Sequence, residues 1–250
     1  AELKYQVTVT SDSYLFIYRY AIVLQSGGHD IGAQPDFKVM VTDSAGQVLD
    51  STCGYYYFEA QKSGPPRPGW HLCGYNIYWK NWTTTGMDLS SYLGQTIYIV
   101  FKVRPCSWDT HFGYAYISAY CNQLEIQTAL CEGQDSAILT APPGFSYYWL
   151  AITGDPSING ATTASITVPA VEGAIYQCTL TALNGCTVTI TNTLYYTQIH
   201  AGYTQNLNCA QRQSKFTDTS WVSQNDVIAW RWFFGDPASQ EDDSSHLENP

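Results

Sequence analysis

The sequence predicts an all-β protein assembled from sandwich modules, and three observations carry that expectation. Apolar residues alternate with period two through most of the chain, and no window of a dozen residues reads as an amphipathic helix. Turn-forming Gly, Pro, Asn and Asp recur at short intervals between the alternating runs. With 250 residues, 45% hydrophobic and 13% charged, there is apolar surface enough for more than one core.

The strands follow in order. Phe37, Val39 and Val41 alternate, and Thr96 to Val103 set Ile97, Ile99, Phe101 and Val103 on one face with Thr96, Tyr98, Val100 and Lys102 on the other. Reversals fall at Ser26-Gly-Gly28, Asp43-Ser-Ala-Gly46, Ser63 to Gly69, Leu93-Gly94 and Asn184-Gly185. In the stretch THFGYAYISAYC, residues 110–121, the small apolar set Ala115, Ile117, Ala119 and Cys121 is expected to face a core. Tyr114, Tyr116, Ser118 and Tyr120 then face outward.

Composition changes near Gln127 and again near Ala201, which divides the chain into three modules. Residues 1–127 are long enough for a jelly-roll sandwich of about eight strands. Residues 128–199 suit an immunoglobulin-like sandwich, with Trp149 as its buried strand tryptophan and Tyr176 two residues before Cys178. Residues 203–250 contain Ala229-Trp-Arg-Trp-Phe-Phe-Gly-Asp-Pro237, which resembles the front part of a PKD repeat, incomplete within this sequence.

Eleven Lys and Arg against 21 Asp and Glu give a formal charge of -10, which repels phosphate backbones and argues against nucleic acid as a partner. The eight cysteines form no C-x2-C pair, so disulfides in an extracellular, oxidising setting are the expected use. Cys53 and Cys73 flank the Pro/Gly-rich loop, and Cys106 and Cys121 flank the tyrosine strand and its preceding loop, so local bridges 53–73 and 106–121 are expected. The chain opens on strand-like residues with no signal-peptide pattern, and no apolar run is long enough to insert in a membrane.

No G-x-S-x-G, H-E-x-x-H, P-loop or dinucleotide-binding pattern occurs, and Glu59 beside Tyr55 to Phe58 is a lone carboxylate of interest, so the chain is read as non-enzymatic. His29 and His111, with Asp30 or Asp109, are the weak metal candidates, against the plainer role of hydrogen bonding to loop carbonyls.

Tyr20-Ala-Ile-Val-Leu24, His29, Gln34-Pro-Asp-Phe37, Trp82-Thr-Thr84, Met87 to Thr96 and His111 to Ile117 together resemble an N-terminal β-sandwich module of large secreted Bacteroidota surface proteins. Those proteins are similar to gliding-motility-associated adhesins exported by the type IX system, and the resemblance implies further repeats of the same chain beyond residue 250. It also implies a calcium position near the end of the tyrosine strand, where this sequence has Ser118 in place of an acidic residue. For the second module it implies a Cys131–Cys186 bridge, with Cys131–Cys178 as the alternative; Cys178 or Cys186 is then left over, and Cys209 has no assigned partner.

The function expected is a cell-surface or secreted adhesin segment that binds a glycan or surface protein through its first module, the later repeats serving as spacers. Candidate ligand-binding residues are Trp70, Tyr75, Tyr78, Trp79, Trp82, Trp108, Tyr114 and Tyr116, aromatics in or beside loops and on the outward strand face. Two alternatives stand beside it: a carbohydrate-binding or targeting region of a secreted hydrolase, and a structural subunit of a surface filament.

Overall fold

A computed structural model describes residues 1–210, 213–223, 227–235 and 243–250. The protein is all-β, and its helical content consists of short 3-10 turns, among them Ser90–Tyr92 and Pro156–Ile158. None of the described helices is long and apolar enough to cross a membrane.

The first sandwich contains β1 (Glu2–Thr8), β2 (Leu15–Gln25), β3 (Asp36–Thr42), β4 (Tyr55–Glu59), β5 (Trp70–Cys73), β6 (Ile77–Asp88), β7 (Thr96–Arg104) and β8 (Gly113–Asn122). One four-stranded antiparallel sheet runs β1-β7-β3-β4 and the other β5-β6-β2-β8. The chain crosses between sheets after β1, β2, β4, β6 and β7, the doubly wound path of a jelly-roll-type sandwich. Alternation decides what lies inside: Phe16, Tyr18, Tyr20, Ile22 and Leu24 of β2 meet Phe37, Val39 and Val41 of β3 and Ile97, Ile99 and Phe101 of β7. Val103 and the expected set Ala115, Ile117, Ala119 and Cys121 pack on the edge of this core.

The second sandwich pairs β12 (Ser165–Pro169), β10 (Ser136–Thr140) and β9 (Gln127–Ala129) in one sheet. Its other sheet runs β11 (Ser146–Ala151), β13 (Ile175–Thr181), β14 (Thr187–Thr193). This is the immunoglobulin-like arrangement expected, with a 3-10 turn at Pro156–Ile158 where a further strand would run. Trp149 is fully buried opposite Cys178, and its indole N–H donates to the Thr163 carbonyl at 2.9 Å.

In the third segment β15 (Ile199–His200) pairs β18 (Trp221–Val222), β16 (Tyr203–Asn208) pairs β17 (Gln213–Asp218), and β19 (Trp232–Phe233) pairs β20 (Ser244–Ser245). Phe216 gathers Tyr203, Trp232 and Phe234 around it, with ring centroids 5.2–5.8 Å away. Asp236 and Pro237 of the quoted motif lie outside the described residues.

The two sandwiches share a boundary that is packed, not merely linked. Leu15 and Ile17, at the start of β2, turn away from the first core and are buried in the second, beside Leu124, Ile126 and Trp149. Gly86, opposite Ile17, leaves room for Phe145, whose ring would stand 2.2 Å from a Cβ at that position. The Asn184 side-chain amide donates to the Cys53 carbonyl at 3.0 Å, and Cys53 is disulfide-bonded to Cys186 with a Cα separation of 5.6 Å.

This bridge corrects the expected pairings. Cys53 sits at the end of the first sandwich that meets the second, whereas Cys73 sits at the opposite end beside Ile77 and Gln25, so 53–73 would span the sandwich. Cys131 precedes β10 at the far end of the second sandwich, while Cys186 closes the β13–β14 hairpin at the near end, which excludes 131–186. Cys121 lies eight residues along β8 from Gly113, about 26 Å at a strand's rise per residue, and Cys106 is held beside His111 at the other end. Cys73, Cys106, Cys121, Cys131, Cys178 and Cys209 are free.

Candidate functional site

The first sandwich offers two candidate sites, both away from the shared boundary. On the outer face of the β5-β6-β2-β8 sheet, register sets the side chains in rows. Val23 lies between Trp79 of β6 and Tyr114 of β8, and Ala21 is paired with Tyr116 beside the irregularity that carries Trp82. Two strand spacings separate Trp79 from Tyr114, about 9.6 Å between backbones, and the small residues of β2 floor the gap. The result is a shallow trough between Trp79 and Tyr114, which ends where Trp82 and Tyr116 meet across β2.

The walls are ordered by ring contacts. His71 stacks on Trp79 at 4.1 Å, Phe112 stacks on Tyr114 at 5.9 Å, and Tyr114 meets Tyr116 edge-on at 5.9 Å. Trp82 lies 6.4 Å from Tyr116, and the Arg19 guanidinium lies 5.5 Å from the centre of its ring. Tyr116 is 60% exposed and Trp82 47%, so their faces are open to a ligand.

Of the eight aromatic candidates, Trp79, Trp82, Tyr114 and Tyr116 therefore share one face. Tyr78 points the other way, buried, with its hydroxyl donating to the Gly64 carbonyl at 3.1 Å, and Trp70 packs on Phe58 at the core's edge. Tyr75 stands alone at the β5–β6 hairpin tip, and Trp108 lies against His29 at 4.2 Å. Ser118 is paired with Arg19 on the outer face, a cationic neighbour unsuited to calcium. Arg19, His71 and Phe112 were not singled out from the sequence; only the strand register brings them to the trough.

The second site is made by the loops at residues 26–35 and 105–112, at the end of the sandwich remote from the disulfide. His29 Nε2 lies 3.3 Å from His111 Nδ1, which lies 3.3 Å from the sulfur of Cys106 and 3.0 Å from the Thr110 hydroxyl. The donor atoms of His29, Cys106 and His111 all fall within 4.8 Å of one another. Neither expected aspartate joins them: Asp30 is ion-paired to Lys62, which holds its carboxyl below the usual range, and Asp109 occupies a left-handed turn at φ 55°. Cys106, expected in a disulfide, takes their place.

Buried groups hold both loops still. Glu59, the lone carboxylate of interest, accepts the amide N–H groups of Gly32 and Gln34, so its work here is to fix the loop that carries His29. Gln34 accepts the Gly27 amide at 2.9 Å and donates to the His29 carbonyl at 2.9 Å. The amides of Ser107 and Asp109 donate to the carbonyls of Ala33 and Cys106, tying the second loop to the first and closing its turn. Burial pushes the Cys106 thiol up, but hydrogen bonds from Thr110, His111 and the Trp108 backbone outweigh it, and the pKa falls to about 5.

No protein-family model matches the sequence, and no curated protein is significantly similar to it.

Proposed function

We propose that this chain is a non-enzymatic adhesive segment of a secreted or cell-surface protein, which recognises glycans on the outer face of its first sandwich. The single observation that carries the reading is the trough between Trp79 and Tyr114, floored by Val23 and continued by the contacting rings of Trp82 and Tyr116. Aromatic faces attract the apolar C–H faces of sugar rings, while Arg19 and His71 supply polar edges for hydroxyl groups. An open trough suits an extended oligosaccharide better than a small molecule, which requires a pocket. The disulfide and the acidic charge fit an extracellular setting. The resemblance to type IX-exported Bacteroidota surface proteins belongs to the same proposal.

A glycan array with the whole chain tests it, run in calcium and again in chelator. Binding that is lost in a Trp79→Ala/Trp82→Ala variant of unchanged melting temperature is the expected result. A double variant that binds like the unaltered chain would overturn the assignment, as would silence against every glycan. Concentration-dependent self-association in sedimentation, abolished by Tyr114→Ala/Tyr116→Ala, would favour the structural-subunit alternative instead.

A further inference from the structure

The loop cluster brings more polar contacts to one ring nitrogen than hydrogen bonding can satisfy at once. His111 Nδ1 has three polar neighbours: His29 Nε2 at 3.3 Å, Cys106 Sγ at 3.3 Å and Thr110 Oγ1 at 3.0 Å. A ring nitrogen carries one proton or one lone pair, so it satisfies one of the three. The backbone is moulded round the crowded atoms: a Cβ at Gly27 would stand 2.2 Å from His29 Nε2 and 2.5 Å from His111 Nδ1. Gly27 has no left-handed φ to account for it, so the requirement is room for the two rings.

Two of the three spacings fit a metal ion at the point of convergence. With metal–nitrogen bonds of about 2.05 Å and a metal–sulfur bond of about 2.3 Å, tetrahedral angles separate two nitrogens by about 3.3 Å and a nitrogen from a sulfur by about 3.6 Å. The His29–His111 and His111–Cys106 separations, 3.3 Å each, lie at or just below these values, while His29 and Cys106 fall within 4.8 Å, so a turn of the His29 ring toward the sulfur completes the set. Two imidazoles and a thiolate are a borderline-to-soft donor set, poorly matched to calcium or magnesium and well matched to zinc or copper.

We propose that His29, Cys106 and His111 form a transition-metal site for one zinc or copper ion, its fourth position filled by the Thr110 hydroxyl or by solvent. The ion clips the loop after β2 to the loop after β7 at the end of the molecule remote from the second sandwich. This inference stands apart from the glycan reading, since neither the trough nor its aromatics supply a ligand.

Cobalt(II) is the probe for the test. The whole chain, stripped with chelator and kept with Cys53–Cys186 intact, is titrated with Co2+ and then with Zn2+. One equivalent of cobalt per chain is expected to develop the intense visible bands of tetrahedral coordination with a thiolate-to-metal charge-transfer band, and zinc is expected to displace it. Cys106→Ser and, independently, His29→Gln are each expected to weaken zinc binding at least about a hundredfold, since even partners of ligands cost up to that much. A variant with the exposed thiols Cys73, Cys131 and Cys209 replaced by serine is expected to keep the full signal. Circular dichroism of each variant guards against misfolding, and the two separate ligand substitutions mean that one failure to fold leaves the other to decide. Weak octahedral cobalt bands, or tetrahedral bands that survive Cys106→Ser, would overturn the site.

Discussion

Replacing both Cys53 and Cys186 by serine removes a cross-link that closes a loop with a sequence separation of 133 residues. In the chain-entropy model a loop of that length withdraws about 17 cal/mol/K from the unfolded ensemble, or about 5 kcal/mol at 25 °C. The two joined sandwiches span about 200 residues, and at about 2.1 cal/mol/K per residue their unfolding entropy is about 0.42 kcal/mol/K, so the melting temperature should fall by about 12 °C. Differential scanning calorimetry of the oxidised chain and the double serine variant measures this directly. Because Leu15, Ile17 and Phe145 still bridge the boundary, the oxidised chain and the variant are both expected to melt their two sandwiches together. A variant that melts within about 2 °C of the parent would refute the entropic argument and place the coupling in the packed boundary alone.

Trp149→Ala should cost about 3–5 kcal/mol in urea unfolding, because it empties the middle of the second core and leaves the Thr163 carbonyl without its indole donor. Gly86→Ala drives a methyl group into the Phe145 ring, and a loss of about 1–3 kcal/mol is expected at the boundary, read as earlier melting of the coupled transition. Burial pushes the Cys178 thiol up to about 11. Alkylation at pH 8 followed by peptide mass mapping should therefore modify Cys73, Cys131 and Cys209 and spare Cys178 until the chain unfolds. The sign follows from the raised value: between the ordinary pKa of 9.0 and about 11 the unfolded chain ionises this thiol and the folded one does not, so its contribution to stability declines across that alkaline range.

Much of the fold was legible because strand alternation is a local property. Period two placed Phe37, Val39, Val41, Ile97, Ile99 and Phe101 inside, and it sent Tyr114, Tyr116 and Tyr120 outward. Trp149 and Tyr176 marked the second sandwich, although the Tyr176 hydroxyl accepts the Asp155 amide and Cys178 has no bridge. Leu15 and Ile17 escaped the pattern: they lie on the face that alternation would give to solvent, and a neighbouring module covers them.

The sequence by itself determined the all-β class and the inward and outward faces of β3, β7 and β8, since these follow from side-chain period and turn chemistry within a few residues. Tertiary structure decided which distant residues meet. It carried Cys53 to Cys186, not to the nearer Cys73, because a two-layer sandwich places residues near in sequence at opposite ends of its strands. It set Cys106 near His29, from a loop three crossings earlier, and it joined Trp79 and Tyr114 into one trough through β2 between them. Loop closure and strand register are properties of the whole wound chain, and no local spacing encodes them.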